Sequence, residues 1–477
     1  MLSAIKEKLT TAGIALSATW ETDVQTWGET VALYRDYSEG NHRAKLTTEM
    51  RKMLRISDAK TDQFAINYCD LVIAKMGDRL TVSSIDGDNE AGSAWAGDML
   101  EYNRFDALQM DVHDAAIRDG VSYVMVAYDN AAQKPMLAHE LAWDGSWGMV
   151  TVYDRMGKKI VAAIKIWYET DTARRVNIYY ADRVERFREG GLGGGLLAID
   201  EQAIEWMDVS NGGVGVPVVA FINRAKSRMT TGISEIASVI PMQDALNRTL
   251  VSMVMTAELS AFQIKVALGF PPPAEVTPGM WVIIGENGIP DGQKVDAFVL
   301  EQAQLVPFIS QATFLIDQIG TVSQTPLPNQ MGGDSSSGEA LKQRETGLLG
   351  KLKRFQVKGG NSWEDVMALA ARVQKAFGTG VSMPKVTRWS CHWQDAEIRN
   401  DSETIKNVKE VADLIGDEQA LREIAPVFGW DEDKINQIMA AKRSQQADAF
   451  AALGSSLPNF DAVNVDVPTG AGDLVAA

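Results

Sequence analysis

Cysteine is almost missing from this chain of 477 residues: only Cys69 and Cys391 occur. Two thiols make no disulfide framework, and together with four scattered histidines (His42, His113, His139 and His392) they build no zinc site of the usual ligand spacing. Long apolar runs are missing too. Nothing approaches the ~18–20 consecutive apolar residues that cross a bilayer, and the first twenty residues, MLSAIKEKLTTAGIALSATW, hold no continuous hydrophobic core followed by a cleavage site. The expectation is an intracellular chain with no membrane, no metal and no cofactor. Excess positive charge is also missing: 63 acidic side chains face 46 basic ones, for a formal charge of −17 and a pI near 4.8. A protein that grips duplex DNA by neutralising phosphates carries the opposite sign, so tight static DNA binding is disfavoured. A surface past which DNA slides remains open, because like charge creates no well to trap a polyanion.

Catalytic signatures are equally sparse. Gly190 to Gly195 (GGLGGG) is rich enough in glycine to approach phosphates, but it lacks the strand-before, helix-after setting of a dinucleotide loop, and no Gly-Lys-Ser/Thr sequence occurs anywhere in the chain. It reads as a hairpin tip. His113-Asp114 nominally begins a Ser-His-Asp set, yet neighbours on a helix point about 100° apart and no nucleophile-elbow glycine pattern accompanies them. No Asp-rich motif for two-metal nuclease chemistry is recognisable. The chain is expected not to be an enzyme, and any ATP-driven process it serves must be powered by a partner.

What is present is ordinary globular material, with 45% hydrophobic and 23% charged residues, enough for two to four domains of mixed α+β character. Over Asp62 to Leu80, Phe64, Tyr68, Leu71, Val72, Met76 and Leu80 fall on one helical stripe. A second helix over Ala107 to Asp119 should stop at Gly120, where a left-handed cap is sterically free. The period then changes to two: Val121–Tyr128, Met149–Tyr153, Ile160–Tyr168 and Arg175–Tyr180 predict strands of an antiparallel sheet. A rod follows, with Pro241 in its first turn and Leu246, Leu250, Met253, Val254, Ala257 and Ala261 along one side. Pro271, Pro272, Pro273, Pro278 and Pro290 punctuate a small insert holding strand-like Trp281–Ile284 and Val295–Leu300, and a second rod starts near Pro307 with Phe308, Ala312, Leu315, Ile316 and Ile319. Two rods flanking an insert predict an antiparallel pair that projects the insert from the body.

Gln324 to Gly338 (QTPLPNQMGGDSSSG) has loop composition. The capping-box spacing of Ser336 and Glu339 starts a long helix toward Phe377, in which Gly347, Gly350, Gly359 and Gly360 predict bends. Its first half carries Lys342, Arg344, Lys351, Lys353, Arg354 and Lys358 against Glu339 and Glu345. These cations form a solvated face, contact DNA, or meet an acidic neighbouring subunit; between the last two the neighbour is preferred. Val386 to Trp393 should be a strand returning to the earlier sheet. Three short helices follow, carrying Ile405, Val408, Val411 and Leu414, then Leu421, Ile424 and Phe428, then Ile435, Ile438 and Met439. Residues 446–477 are expected to form a disordered acidic tail.

Several of these stretches resemble hallmark segments of the siphophage-type portal proteins of tailed bacteriophages. Tyr34-Arg35-Asp36-Tyr37 with Glu39-Gly40-Asn41-His42 resembles an early "Y-Y-x-G-x-H" element, and Phe64 to Leu80 the helix after it. Asp114 to Asp129 is similar to a helix-turn-strand unit, Gly232 to Phe262 is the strongest match, and Ser337-Gly338-Glu339-Ala340-Leu341-Lys342 resembles an "S-G-x-A-L" helix start. The resemblance implies a portal fold: a wing of helices and sheet (1–230), a stem helix (231–262), a small β-containing clip (263–306), a second stem helix (307–323), a tunnel loop (324–337), a long kinked wing helix with a returning strand (338–400) and a short helical crown (401–445). It implies a dodecameric ring at one capsid vertex of the virion, assembled in the host cytoplasm, through which double-stranded genomic DNA is packaged and later ejected. The implied partners are further copies of the chain, the terminase large subunit, a head-completion or adaptor protein, the major capsid protein and scaffold. Leu246, Leu250, Met253, Glu258, Ile316 and Ile319 would belong to the channel stem, and Gln324, Asn329, Gln330, Gly332, Gly333, Asp334 and Ser335 to the tunnel loop. Between Thr231 and Gln330 nine acidic residues stand against three basic ones, which around a ring would favour sliding over binding. The competing reading is another virion component such as a minor head or adaptor protein, which would lack the rod-insert-rod-loop order.

Overall fold

A computed structural model describes residues 1–42, 66–171, 173–190, 195–203, 215–224, 231–261, 265–268, 281–284, 296–299, 304–327, 338–378, 385–396, 408–410, 416–428, 430 and 434–444. The chain divides into two compact units, 1–396 and 397–477. The first opens with α1 (Leu2–Thr11), α2 (Trp20–Ser38), α3 (Tyr68–Gly77), β1 (Val82–Gly87), α4 (Glu90–Tyr102) and α5 (Phe105–Asp119). Strands β2 (Val121–Asp129), β3 (Lys134–Glu140), β4 (Gly148–Tyr153), β5 (Ile160–Thr170), β6 (Ala173–Tyr179), β7 (Arg183–Glu189), β8 (Leu196–Ala203) and β9 (Val218–Ile222) come next. The unit closes with α6 (Ile240–Ala261), β10 (Lys265–Leu268), β11 (Trp281–Ile284), β12 (Asp296–Val299), α7 (Val306–Ser323), α8 (Gly338–Phe377) and β13 (Trp389–Trp393). The second unit holds α9 (Asp417–Phe428) and a helical stretch over 434–444, with Ala420, Ala425 and Ile435 buried. These two match the expected helices around Leu421 and Ile435; of the one expected around Ile405, residues 408–410 are described and helical. The expected tail 446–477 lies outside the described residues.

Where one sheet was expected there are two. β5, β6 and β7 lie inside an antiparallel five-stranded sheet ordered β4-β5-β6-β7-β8, whose inner face, with Ile164, Ile166, Val176, Ile178 and Phe187, packs under Ile5 and Leu9 of α1 and Val24 of α2. β2 belongs to a separate antiparallel sheet, β3-β2-β9, which carries α5 and α8 against it. The returning strand is corrected as well. β13 joins neither sheet but pairs antiparallel with β1, Val82 opposite Trp393 and Gly87 opposite Trp389. Both edges of β2 are already occupied by β3 and β9, so an incoming strand finds open hydrogen-bonding groups on β1 instead. β1 was not foreseen because VSSIDG has only two apolar side chains.

The helix expected over Asp62 to Leu80 is shorter. Asn67 sits extended at φ −117° and its side chain accepts from the amides of Cys69 and Asp70, an N-cap that fixes the helix start at Tyr68. Phe64 is outside the described residues. α5 ends where expected: Gly120 takes φ +87°, and a Cβ there would lie 2.9 Å from the Gly232 carbonyl carbon. Gly232 faces it as closely, since its own Cβ would meet the Gly120 oxygen at 1.9 Å. This backbone crossing brings the end of α5, the end of β9 and the approach to α6 together, with Asn223 N–H donating to Gly120 O at 2.9 Å and Glu235 N–H to Ile117 O at 3.1 Å. α8 runs as one helix through Gly347, Gly350, Gly359 and Gly360. In the insert, β10 was missed, and it pairs parallel with β11 and antiparallel with β12.

Candidate functional site at the root of the helix pair

α6 and α7 pack on each other and on the main core, but unevenly. α6 supplies buried Leu246 from its first half and Val251 from its middle, and the second half of α7 supplies Leu315, Ile316 and Ile319. The first half of α7 leaves Val306, Ile309 and Phe314 more than half exposed. This burial pattern is that of an antiparallel pair rooted in the body at one end, with the β10–β12 insert at the other.

The root is fixed by side-chain amides. Gln243 and Asn247, one turn apart and buried, clasp the segment that enters α3: Gln243 Oε1 accepts from Tyr68 N–H at 2.9 Å while its Nε2 donates to Ile66 O, and Asn247 Oδ1 accepts from Ile66 N–H at 3.0 Å. Asn247 Nδ2 donates to His42 Nε2 at 3.0 Å, and the His42 ring stacks on Tyr37 with centroids 4.5 Å apart. Tyr37 O–H in turn donates to Asp244 on α6. Burial pushes the His42 pKa down, which keeps this imidazole neutral. Arg35, in the same sequence element, is buried and bridges Asp119 and Asp144 at 2.9 Å each while donating to Ala142 O at 2.7 Å, so it ties α2 to the end of α5 and to the β3–β4 connection. The Tyr34 to His42 stretch thus has a structural use: Tyr37 and His42 anchor the body against α6, and Arg35 ties α2 to the end of α5 and the β3–β4 connection.

The second fixed point lies where α7 ends. Gln324 takes a left-handed φ of 53°, Thr325 N–H returns to Gly320 O at 3.0 Å, and Thr325 and Leu327 are buried. The expected loop therefore begins with an anchor: its first residues turn into the core before residue 328. Asn329, Gln330, Gly332, Gly333, Asp334 and Ser335 lie outside the described residues. Across from this turn, Lys351 of α8 donates to Ser323 O at 2.6 Å and pairs with the Glu235 carboxylate, which is 1% exposed. Glu235 also accepts from Asn223 Nδ2 at 3.0 Å and has Arg224 at 3.8 Å.

Lys351, expected as a possible DNA or intersubunit contact, is thus engaged inside the chain by Glu235 and Ser323 O. A buried carboxylate needs a charge partner, and Lys351 makes the close contact, with Arg224 at the edge of ion-pair distance. Lys353, Arg354 and Lys358 are exposed and, together with Lys351, Arg224, Val322, Gln324, Phe355 and Val357, line a cleft of about 780 Å³. The side chains of Lys342 and Arg344 lie outside what is described. Among the expected stem residues, Leu246, Ile316 and Ile319 are buried in the main core, where the body covers this end of the pair. Leu250 is half-buried and packs on the same core, Met253 is half-buried, and the Glu258 side chain is not described. Two of the nine carboxylates counted between Thr231 and Gln330, Glu235 and Asp244, are held by partners inside the subunit.

His113 has both ring nitrogens engaged. Nε2 accepts from Trp363 Nε1 at 2.9 Å, Nδ1 lies 2.9 Å from Leu80 O, and burial pushes its pKa down to about 4. Asp114 points away, against Gly77 of α3. This imidazole is a structural hydrogen-bond hub between α5 and α8. Sequence reasoning missed Glu235, Gln243, Asn247 and Arg224. Only the Gln243–Asn247 pair, two amides four residues apart on an otherwise apolar helix, left a readable signal.

A family model described as phage portal protein, SPP1 Gp6-like, matches residues 34–448. The portal protein of Mycobacterium phage L5 is 27% identical over 219 residues, covering 42% of this chain and 43% of the relative. The portal protein of Mycobacterium phage D29 is 28% identical over 213 residues, again 42% of this chain and 43% of the relative. The chain thus matches less than half the length of these two relatives.

Proposed function

This chain belongs to the phage portal protein family, SPP1 Gp6-like, and we propose from that membership that it closes into a dodecameric ring at one capsid vertex of the virion, with a channel for double-stranded DNA. Its role is structural rather than catalytic. The observation that best supports the reading is the uneven helix pair: the inner ends of α6 and α7 are sealed into the body, while Val306, Ile309 and Phe314 remain uncovered. Apolar surface of that kind on neighbouring elements is what repeated copies bury when they close a ring. The insert between the helices would be the clip, which contacts the terminase motor during packaging and the head-completion protein afterwards; the major capsid protein and scaffold would meet the ring at the vertex. The helix pair would form the stem, and residues 324–337 would be the loop that touches DNA. Between Thr231 and Gln330 nine acidic residues stand against three basic ones, with Glu235 and Asp244 engaged inside the chain. That balance still favours sliding of a polyanion.

Electron microscopy of the purified chain tests the assembly. End-on rings with a central hole are the expected result, and monomers that never associate would defeat the reading. Deleting Asn329 to Asp334 should then spare the rings yet impair DNA packaging or retention in infected cells; wild-type packaging and retention by the deletion would remove the loop from the mechanism.

A further inference from the structure

The cleft beside the helix-pair root has a composition unlike the rest of the chain. Arg224, Lys351, Lys353, Arg354 and Lys358 line it, with Glu235 the one carboxylate among the described lining residues. Lys351 and Glu235 answer each other. The chain as a whole carries −17, so this is a local reversal of sign. No ion pair is found for Lys353 or Arg354 among the described residues. The cleft is also partly apolar: Val357, 61% exposed, and Val322, 41% exposed, stand beside the cations, and Phe355 forms its floor.

We infer that this cleft is a docking surface for an acidic, apolar-bearing segment of a second copy of this chain. The inference rests on the ring reading above and names the surface through which neighbours recognise each other. Two observations favour a copy of the chain over DNA. Exposed valines gain nothing from a phosphate backbone, whereas a protein segment removes them from water. A chain of −17 offers acidic surface on every copy, so a second copy carries charge complementary to these cations. Lys351 holds α8 against the end of α7 through Ser323 O and against the approach to α6 through Glu235, and thereby fixes the wall from which Lys353, Arg354 and Lys358 project.

The test is the double substitution Lys353→Glu, Arg354→Glu, with Lys353→Gln, Arg354→Gln as a milder companion should the reversal prevent folding. Ring assembly is followed by size-exclusion chromatography with light scattering over a salt series, and DNA binding by anisotropy of a fluorescein-labelled duplex. The expected result is dissociation of the variants at lower salt than wild type, with subunit affinity down on the order of tenfold for the reversal and duplex binding per ring unchanged where rings persist. Rings as salt-resistant as wild type with weaker duplex binding would assign the cleft to DNA and overturn the inference. Rings unchanged in both respects would overturn it too. A wild-type chain that stays monomeric would defeat the ring and this surface together, whereas wild-type rings with insensitive variants defeat the surface alone.

Discussion

The two ends of the α6–α7 pair have similar apolar content and opposite environments. At the root, Leu246 and Ile319 are fully buried; further out, Phe314 is 59% exposed and Val306 67%. Helical periodicity reports that a stripe exists, not what covers it. The near end is covered by the chain's own body, so its residues belong to folding. The far end is covered by nothing among the described residues, so in the proposed ring its residues would be the ones on which assembly depends.

The largest effect should come from breaking this contrast. Leu246→Ala removes a fully buried side chain from the main core and is expected to cost ~2–5 kcal/mol of subunit stability. Phe314→Ala should change subunit stability by less than ~0.5 kcal/mol and instead weaken ring assembly. Urea denaturation of the subunits, together with light scattering on the assembled protein, separates the two. Equal stability losses would show that the outer half is as much core as the root. Leu250, half-buried on the subunit's own core, is a poor position for an assembly probe, because a charge there would disturb the fold first.

Two of the four histidines, His42 and His113, serve different helices. Both are buried, but His42 touches α6 while His113 joins α5 to α8 through Trp363. Burial lowers the His113 pKa to about 4, against ~6.5 in an unfolded chain. Between those values the unfolded state binds the proton and the folded state does not, so stability rises with pH across this window and falls as the solution is acidified. The loss on going from pH 7 to pH 4 should approach ~3 kcal/mol from this residue. His113→Gln should be less stable at neutral pH and lose less on acidification; the urea midpoint of both proteins against pH is the measurement. Parallel curves would mean that the imidazole is already charged in the fold.

Legibility followed distance along the chain. α6, α7 and α8 were readable from local period and proline position, and Gly120 marked the end of α5. Partners hundreds of residues apart were not. β1 pairs with a strand some three hundred residues later, Lys351 meets Glu235 116 residues away, and Trp363 reaches His113 across 250. A basic run on a helix looks uniform in sequence, yet one member is consumed by a buried carboxylate while its neighbours face an open cleft. Only the fold distinguishes them. β7 and β8 were missed for another reason: RVERFRE and LLAIDEQA carry polar and acidic side chains where a strand template expects apolar ones.

The smallest expected effect compares two glycines of α8, one at the cleft and one in the core. A Cβ at Gly350 would meet nothing within 4 Å, whereas one at Gly360 would lie 3.2 Å from Trp393 Nε1 and 3.7 Å from Cys391 Cβ. Helix propensity favours alanine at both by up to ~1 kcal/mol, partly through the unfolded chain. At Gly350 that gain has no steric opponent, so Gly350→Ala should raise the subunit's urea midpoint. At Gly360 the indole of Trp393, which closes β13 onto α8, must shift to admit the methyl group, and the gain should vanish or reverse. If both substitutions stabilise equally, the approach of β13 to α8 is looser than the structure places it, and the glycines are there for reasons other than contact.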